Sequence, residues 1–285
     1  MMNFCFRRTV HALGCAIVAT LAAAGSAQAQ RPASSLAPEE IPAPPANAIA
    51  FTPPALDAIP NTPLGDMIRF GRDVFVDTQR YAKKYVGNGL NCVNCHLDAG
   101  RAANSAPLWA AYVAYPAFRT KNREINTFEQ RLEGCFRFSM NGTMPPADSI
   151  VVLGLVSYSF WLATGAPVGA QLAGRGFSAV ADPPLPAAAG RGAQVYQMHC
   201  AACHGATGAG LKAGSVYTLP PLWGRDSYNM GAGMHRVPTA AAFIKANMPL
   251  GQGGTLTDQQ AWDVAAFMNG HPRPADPRTK PARSR

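Results

Sequence analysis

The chain has 285 residues, 48% of them hydrophobic and 14% charged, a globular balance that excludes long disorder. The formal net charge is +9. The basic residues form no long run and few aromatics are interleaved with them, which excludes the usual kinds of nucleic-acid binder. No apolar stretch of roughly 18 residues lies beyond the N-terminus, which excludes a multi-span membrane protein.

At the N-terminus, Arg7 and Arg8 supply positive charge, Leu13 to Ala24 is a short apolar run, and Ala27-Gln28-Ala29 is a small-x-small cleavage site. Together they predict a secretory signal peptide over 1–29, cut after Ala29, and a periplasmic mature protein. The cut removes two arginines and no acid, which lowers the formal charge from +9 to +7. Residues 30–60 follow as a Pro-rich lead-in, with Pro42, Pro44, Pro45, Pro53, Pro54 and Pro60. The chain holds 27 Gly and 25 Pro. That is about 18% of residues against roughly 12% on average, so much of the chain is loop.

Cys5 and Cys15 leave with the signal. Five cysteines remain, and four of them stand in two like patterns: Cys92-Val93-Asn94-Cys95-His96 and Cys200-Ala201-Ala202-Cys203-His204. Each is a c-type haem attachment motif. Cysteines three apart on a helical turn face the same way and can each form a thioether to one haem, and the adjoining imidazole then faces the iron. A Cys₂His₂ zinc site is the rival, but it needs paired histidines downstream of the cysteines. Here each His follows its own pair directly. The expected cofactors are two covalently bound haem c groups, held by Cys92, Cys95, Cys200 and Cys203, with His96 and His204 on the irons.

The second Pro-rich stretch, Ala181 to Pro186, falls between the motifs. It predicts an N-terminal domain over 61–180, a linker over 181–189, a C-terminal domain over 190–270 and a basic, frayed tail over 271–285. The halves form a weak repeat: a helix, the haem motif, loops, a Met-Pro pair and an apolar helix. Met144 lies 48 residues after His96, and Met248 lies 44 after His204. The last helices are expected over Asp148–Ala163 and Thr257–Asn269, the latter opened by a Thr257–Gln260 capping box. The predicted fold class is all-α, two cytochrome c-type haem domains joined by a Pro-rich linker.

The opposite face of each iron needs a second ligand. In the C-terminal half the candidates are Met230, Met234, Met248 and Met268. A thioether suits an electron-transfer haem, and Pro249 holds Met248 in a loop between two helices. Met268 has the spacing of a core residue. In the N-terminal half both Met144 and Cys135 are candidates. The segment Ile125 to Met140 reads as an amphipathic helix, with Ile125, Phe128, Leu132, Cys135 and Phe136 on one face. Cys135 is the sole unpaired thiol of the mature chain, flanked at minus four by Arg131 and at plus four by Ser139. An Arg beside a Cys favours the thiolate. The bland alternative is a buried Cys acting as a small hydrophobe, with Met144 as ligand.

The runs Gly87 to Leu97, Arg131 to Gly142, Asn229 to Met234 and Asn247 to Pro249 resemble the dihaem thiosulfate dehydrogenases over roughly residues 60–270. The resemblance implies a first, catalytic haem ligated by His96 and Cys135, and a second, electron-relay haem ligated by His204 and Met248. Some members carry a Lys before the Met; Asn247 stands there in this chain. The implied reaction joins two thiosulfate ions into tetrathionate and passes two electrons to a soluble or membrane-bound cytochrome or other high-potential acceptor. Cys135, Arg131 and Ser139 would be its catalytic residues, with the Cys135 sulfur bonding transiently to substrate. Arg119, Lys121 and Arg123 are candidates for holding the anion. The protein is expected to be a monomer. The rival functions are a plain dihaem electron carrier, the same site run as a tetrathionate reductase, and a relative that processes carrier-bound sulfur.

Overall fold

The computed structural model describes residues 47–279. The expected signal peptide, the lead-in up to residue 46 and the last six residues lie outside the described residues.

Helix α1 (Pro63–Val76) opens after Thr62, whose Oγ1 accepts the Gly65 N–H at 3.1 Å, with Pro at the first helical position. Two short turns of helix, α2 (Thr78–Tyr81) and α3 (Leu97–Gly100), flank the first cysteine pair. Helix α4 (Leu108–Val113) leads into a hairpin of β1 (Ala117–Arg119) and β2 (Glu124–Asn126), with Phe118 opposite Ile125. Then come α5 (Phe128–Gly134) and α6 (Ile150–Leu162). Their side chains build one core, in which Trp109, Tyr158, Leu155 and Leu162 are fully buried. Each such side chain contributes about 1.5–3 kcal/mol relative to exposure.

A second core follows. It is built from α7 (Ala189–His199), the short α8 (Ala201–His204), α9 (Val237–Asn247) and α10 (Asp258–Asn269), beside a hairpin of β3 (Leu211–Ala213) and β4 (Val216–Leu219). The repeat extends to how the helices cross. In the first half α1 packs on α6, and in the second α7 packs on α10. Each crossing is made at a glycine. A Cβ on Gly71 would stand 1.9 Å from the Gly154 carbonyl oxygen, and one on Gly192 would stand 2.0 Å from the Asp263 carbonyl oxygen. Only Gly permits backbones to approach so closely. The fold is mostly helical, with two small hairpins, in keeping with the expected all-α class. Among the described residues no helix is long and apolar enough to cross a membrane.

Three expectations need correction. The helix expected over Ile125–Met140 begins at Phe128. Thr127 and Gln130 form a capping box there, and Ile125 lies exposed on β2. From Cys135 to Ser139 the helix widens into a π-turn, closed by Met140 N–H on the Cys135 carbonyl at 2.9 Å. The apolar helix after Met144-Pro145 starts at Ile150 rather than near Asp148, because the Ser149 hydroxyl accepts the Val152 N–H. The segment expected to fray is packed over residues 271–279. The Pro272 and Pro274 carbonyls accept N–H groups from Gly224 and Met230, and Arg273 lies 4.2 Å over the Tyr228 ring. The lead-in is likewise tied down in its described part, where Ile49 pairs with Leu172.

Candidate functional site

The first attachment segment is held by a buried threonine. Thr78 Oγ1 accepts the Cys92 N–H at 3.1 Å and lies 3.4 Å from Cys92 Sγ. Asn91 and Asn94 clasp the turn, the Asn91 N–H donating to Asn94 Oδ1 at 2.7 Å. The His96 Nδ1–H donates to the Ala106 carbonyl at 2.7 Å, which fixes the ring and turns Nε2 away from that carbonyl. The second motif repeats this arrangement. Helix α7 runs straight into Cys200, and the His204 Nδ1–H donates to the Pro220 carbonyl at 3.0 Å. Burial holds His204 below its ordinary pKa, against the Pro220 bond that raises it. All four motif cysteines are free of disulfides, as thioether formation requires.

Cys135 opens the π-turn, a local widening that is frequent at functional sites. Arg131 Nη1 donates to its sulfur at 3.0 Å. Burial by itself would push this thiol up. The Arg131 charge, and then the hydrogen bond and charge of His96, outweigh it and bring the pKa down to about 6. Cys92 and Cys95 have no such cation, and burial pushes each up to about 12. The sulfur of Cys135 therefore stands beside His96 as a stabilised thiolate. Met144 is half-buried against the first core. Ser139 closes the π-turn and its carbonyl accepts from Asn88 Nδ2 at 2.8 Å.

The cations expected near the anion divide. Lys121 donates to the Gly231 carbonyl at 3.0 Å and lies 4.8 Å over the Phe138 ring. Burial first, then the charges of Arg278 and Arg131, push it down to about 8, with Asp276 opposing and Arg119 adding to the shift. Arg119, Lys121 and Arg131 thus share one field beside the π-turn. Arg119 donates to the Tyr115 hydroxyl at 2.7 Å. Arg123 is exposed at the hairpin turn, with φ of 58°. Sequence reasoning missed Arg278. It lies 4.9 Å over the same Phe138 ring and forks onto Asp276, with Nη2–Oδ2 at 2.5 Å. The Asp-Pro-Arg turn at 276–278, followed by Thr279, was the only local signal that this segment folds back.

In the second half Met248 follows α9 with extended backbone and packs half-buried against the second core, as Cys200, Leu222 and Trp223 do. Asn247 Nδ2 donates to the Asn104 and Phe243 carbonyls at 3.1 and 3.0 Å. Met230 is largely exposed, Met268 is core, and Met234 touches both cores.

Attachment cysteines beside a histidine fixed through its outer nitrogen, within a helical fold, define a c-type cytochrome, and the cofactor is haem c. The family model of the cbb3-type cytochrome c oxidase subunit III matches residues 187–268. A thiosulfate dehydrogenase of Stutzerimonas stutzeri strain A1501 is 57% identical over 228 residues, 80% of this chain and 74% of that one. One from Thiomonas intermedia strain K12 is 50% identical over 264 residues, 93% and 84% of the two chains. The chain belongs to the thiosulfate dehydrogenase family. The solved structure of a thiosulfate dehydrogenase (TsdBA) from Marichromatium purpuratum superposes with a TM-score of 0.78 at 50% identity over 82% of this chain; the chain spans about half, 51%, of that protein's length.

Proposed function

We propose that this protein is a periplasmic dihaem enzyme that couples two thiosulfate ions to tetrathionate and passes two electrons to a cytochrome-type acceptor. Two domains, 61–180 and 190–270, would each hold one haem. The residues fit that cofactor: each motif offers two unpaired cysteines and a histidine fixed through Nδ1 on a backbone carbonyl. Cys92, Cys95, His96 and Cys135 would hold the first haem, and Cys200, Cys203, His204 and Met248 the second. When bound, the haems accept electrons one at a time, so two of them take up the pair released in one turnover.

The observation that carries the reading is the Arg131 guanidinium 3.0 Å from the Cys135 sulfur. A buried thiol is inert unless a cation favours its thiolate. Here the thiolate is favoured, and the same cation suits a dianionic substrate. Lys121 and Arg119 add positive charge, and the Ser139 hydroxyl is the candidate donor to a sulfonate oxygen. In the reaction, the Cys135 sulfur and the outer sulfur of one thiosulfate form a bond, and two electrons leave. A second thiosulfate attacks the substrate sulfur of that adduct. The new sulfur–sulfur bond completes tetrathionate, the bond to Cys135 breaks, and the thiolate returns. No proton is consumed.

The test is an anaerobic assay of the purified holoenzyme with thiosulfate and ferricyanide, with tetrathionate quantified. Wild type is expected to form one tetrathionate per two ferricyanide reduced. Cys135→Gly is expected to keep both haems, lose the low-spin thiolate EPR signal and form none. Cys135→Met keeps a sulfur but cannot form the bond to substrate, so it too is expected to be inactive. Wild-type turnover by Cys135→Met would overturn the covalent step. An unchanged EPR spectrum in Cys135→Gly would transfer the ligand role to Met144 and favour the electron carrier.

A further inference from the structure

Two asparagines account for the far end of the turn that carries Cys135. A helix end leaves carbonyls without intrahelical partners. Here each carbonyl from Cys135 to Met140 has a partner. Cys135 and Phe136 are served locally, by Met140 N–H at 2.9 Å and Gly142 N–H at 2.8 Å. The Arg137 carbonyl accepts Asn229 Nδ2 at 2.9 Å, and the Phe138 carbonyl accepts the Asn229 backbone N–H at 3.1 Å. The Ser139 carbonyl accepts Asn88 Nδ2 at 2.8 Å, and the Met140 carbonyl accepts Gly87 N–H at 2.9 Å.

Both asparagines are buried, Asn229 at 0% exposure and Asn88 at 4%. Neither has a side-chain donor to spare. Asn229 Nδ2 also donates to Asn141 Oδ1 at 3.0 Å, and its Oδ1 accepts the Gly231 N–H at 3.0 Å. Asn88 Nδ2 also donates to the Ser227 carbonyl at 3.2 Å, and its Oδ1 accepts the Leu90 N–H at 3.2 Å. Leu90 lies two residues before Cys92. Asn229 lies on the loop that continues to Met234, which touches both cores.

We infer that Asn229, with Asn88, is a positioning residue: it locks the C-terminal end of the π-turn so that the Cys135 sulfur is held opposite His96. The inference rests on the reading of Cys135 as ligand and nucleophile given above. Three segments far apart in sequence meet in this one network: the approach to the first haem motif, the Cys135 turn and a loop of the second half. A sulfur that must hold a metal and then reach substrate gains from a backbone that does not move with it.

Asn229→Asp separates positioning from packing. It keeps the volume and the acceptor for Gly231, and removes the donor to Arg137 and Asn141. In the holoenzyme it is expected to convert at least half of the low-spin thiolate EPR signal to other forms. It should leave the thioether absorption of the second haem unchanged and lower kcat about tenfold, with KM within twofold. Asn88→Asp is expected to do the same through the Ser139 carbonyl, and it serves as the test if Asn229→Asp fails to take up haem. Wild-type EPR and kcat in a haem-loaded Asn229→Asp or Asn88→Asp enzyme, even with a lowered Tm, would overturn the inference. Cys135→Gly is run beside them. If that variant changes the spectrum and the asparagine variants do not, the positioning role alone fails. If it does not change the spectrum, the ligand reading fails first.

Discussion

Arg131→Ala is the sharpest probe of the proposed anion site. Arg131 Nη1 lies 3.0 Å from the Cys135 sulfur and its charge reaches Lys121 as well. Two unit charges 4 Å apart are worth about 4 kcal/mol at an effective dielectric of 20, which sets a ceiling. A hydrogen bond to a charged group contributes about 1.5–3 kcal/mol net. The lower range applies here because Lys121 and Arg119 remain. At about 1.4 kcal/mol per decade, kcat/KM for thiosulfate should fall roughly 10–100-fold. Arg131→Lys should recover part of the loss, since it restores the charge but not the planar fork. Ferricyanide reduction by the anaerobic holoenzyme at low thiosulfate measures it, with haem content checked by pyridine haemochrome spectra. A haem-loaded Arg131→Ala enzyme with wild-type kcat/KM would refute the reasoning and move the anion elsewhere.

Mass spectrometry of the mature chain should show two covalent haems that survive acid–acetone extraction; a single haem would remove the relay. Met248→Gly should lose the thioether–iron(III) absorption band and lower the potential of the second haem, and an unchanged band would point to Met230 or Met234. Burial and neighbouring cations push Lys121 down to about 8, and lysine is charged only below its pKa. kcat/KM should therefore fall as pH rises through about 8 in the free enzyme. Lys121→Gln should lack that fall, and a variant that kept it would free Lys121 of any part in binding.

What was legible in the chain is what local chemistry sets. The haem motifs and the Thr257–Gln260 box act within five residues, and the structure has that box, with hydrogen bonds of 2.8 and 3.2 Å. The same signature stands at Thr127-Phe128-Glu129-Gln130 and went unread, because the apolar spacing from Ile125 onward suggested an earlier start. Ile125 instead pairs with Phe118 across a hairpin, and both side chains are exposed. A three-residue strand has no periodicity to detect. The packing of residues 271–279 was hidden for another reason. It rests on proline carbonyls and on arginines lying over Tyr228 and Phe138, and charged, Pro-rich composition reads as solvated tail wherever such long-range partners are not known.

The same division runs through the site. A thiolate at Cys135 has two requirements. Its charge must be compensated against burial, and its backbone must stay put while the sulfur works. The first is met four residues away on the same helix, so Arg131 could be named from spacing alone. The second is met by Asn229, 94 positions further on, whose bonds to Arg137 and Phe138 exist only once the two halves are folded together. A buried asparagine carries no pattern of its own, since its value lies in carbonyls that other segments leave open. On the proposal made above, the local device tunes the sulfur and the distant one aims it. The bonds that close the Cys135 turn are thus completed only by the second half of the chain.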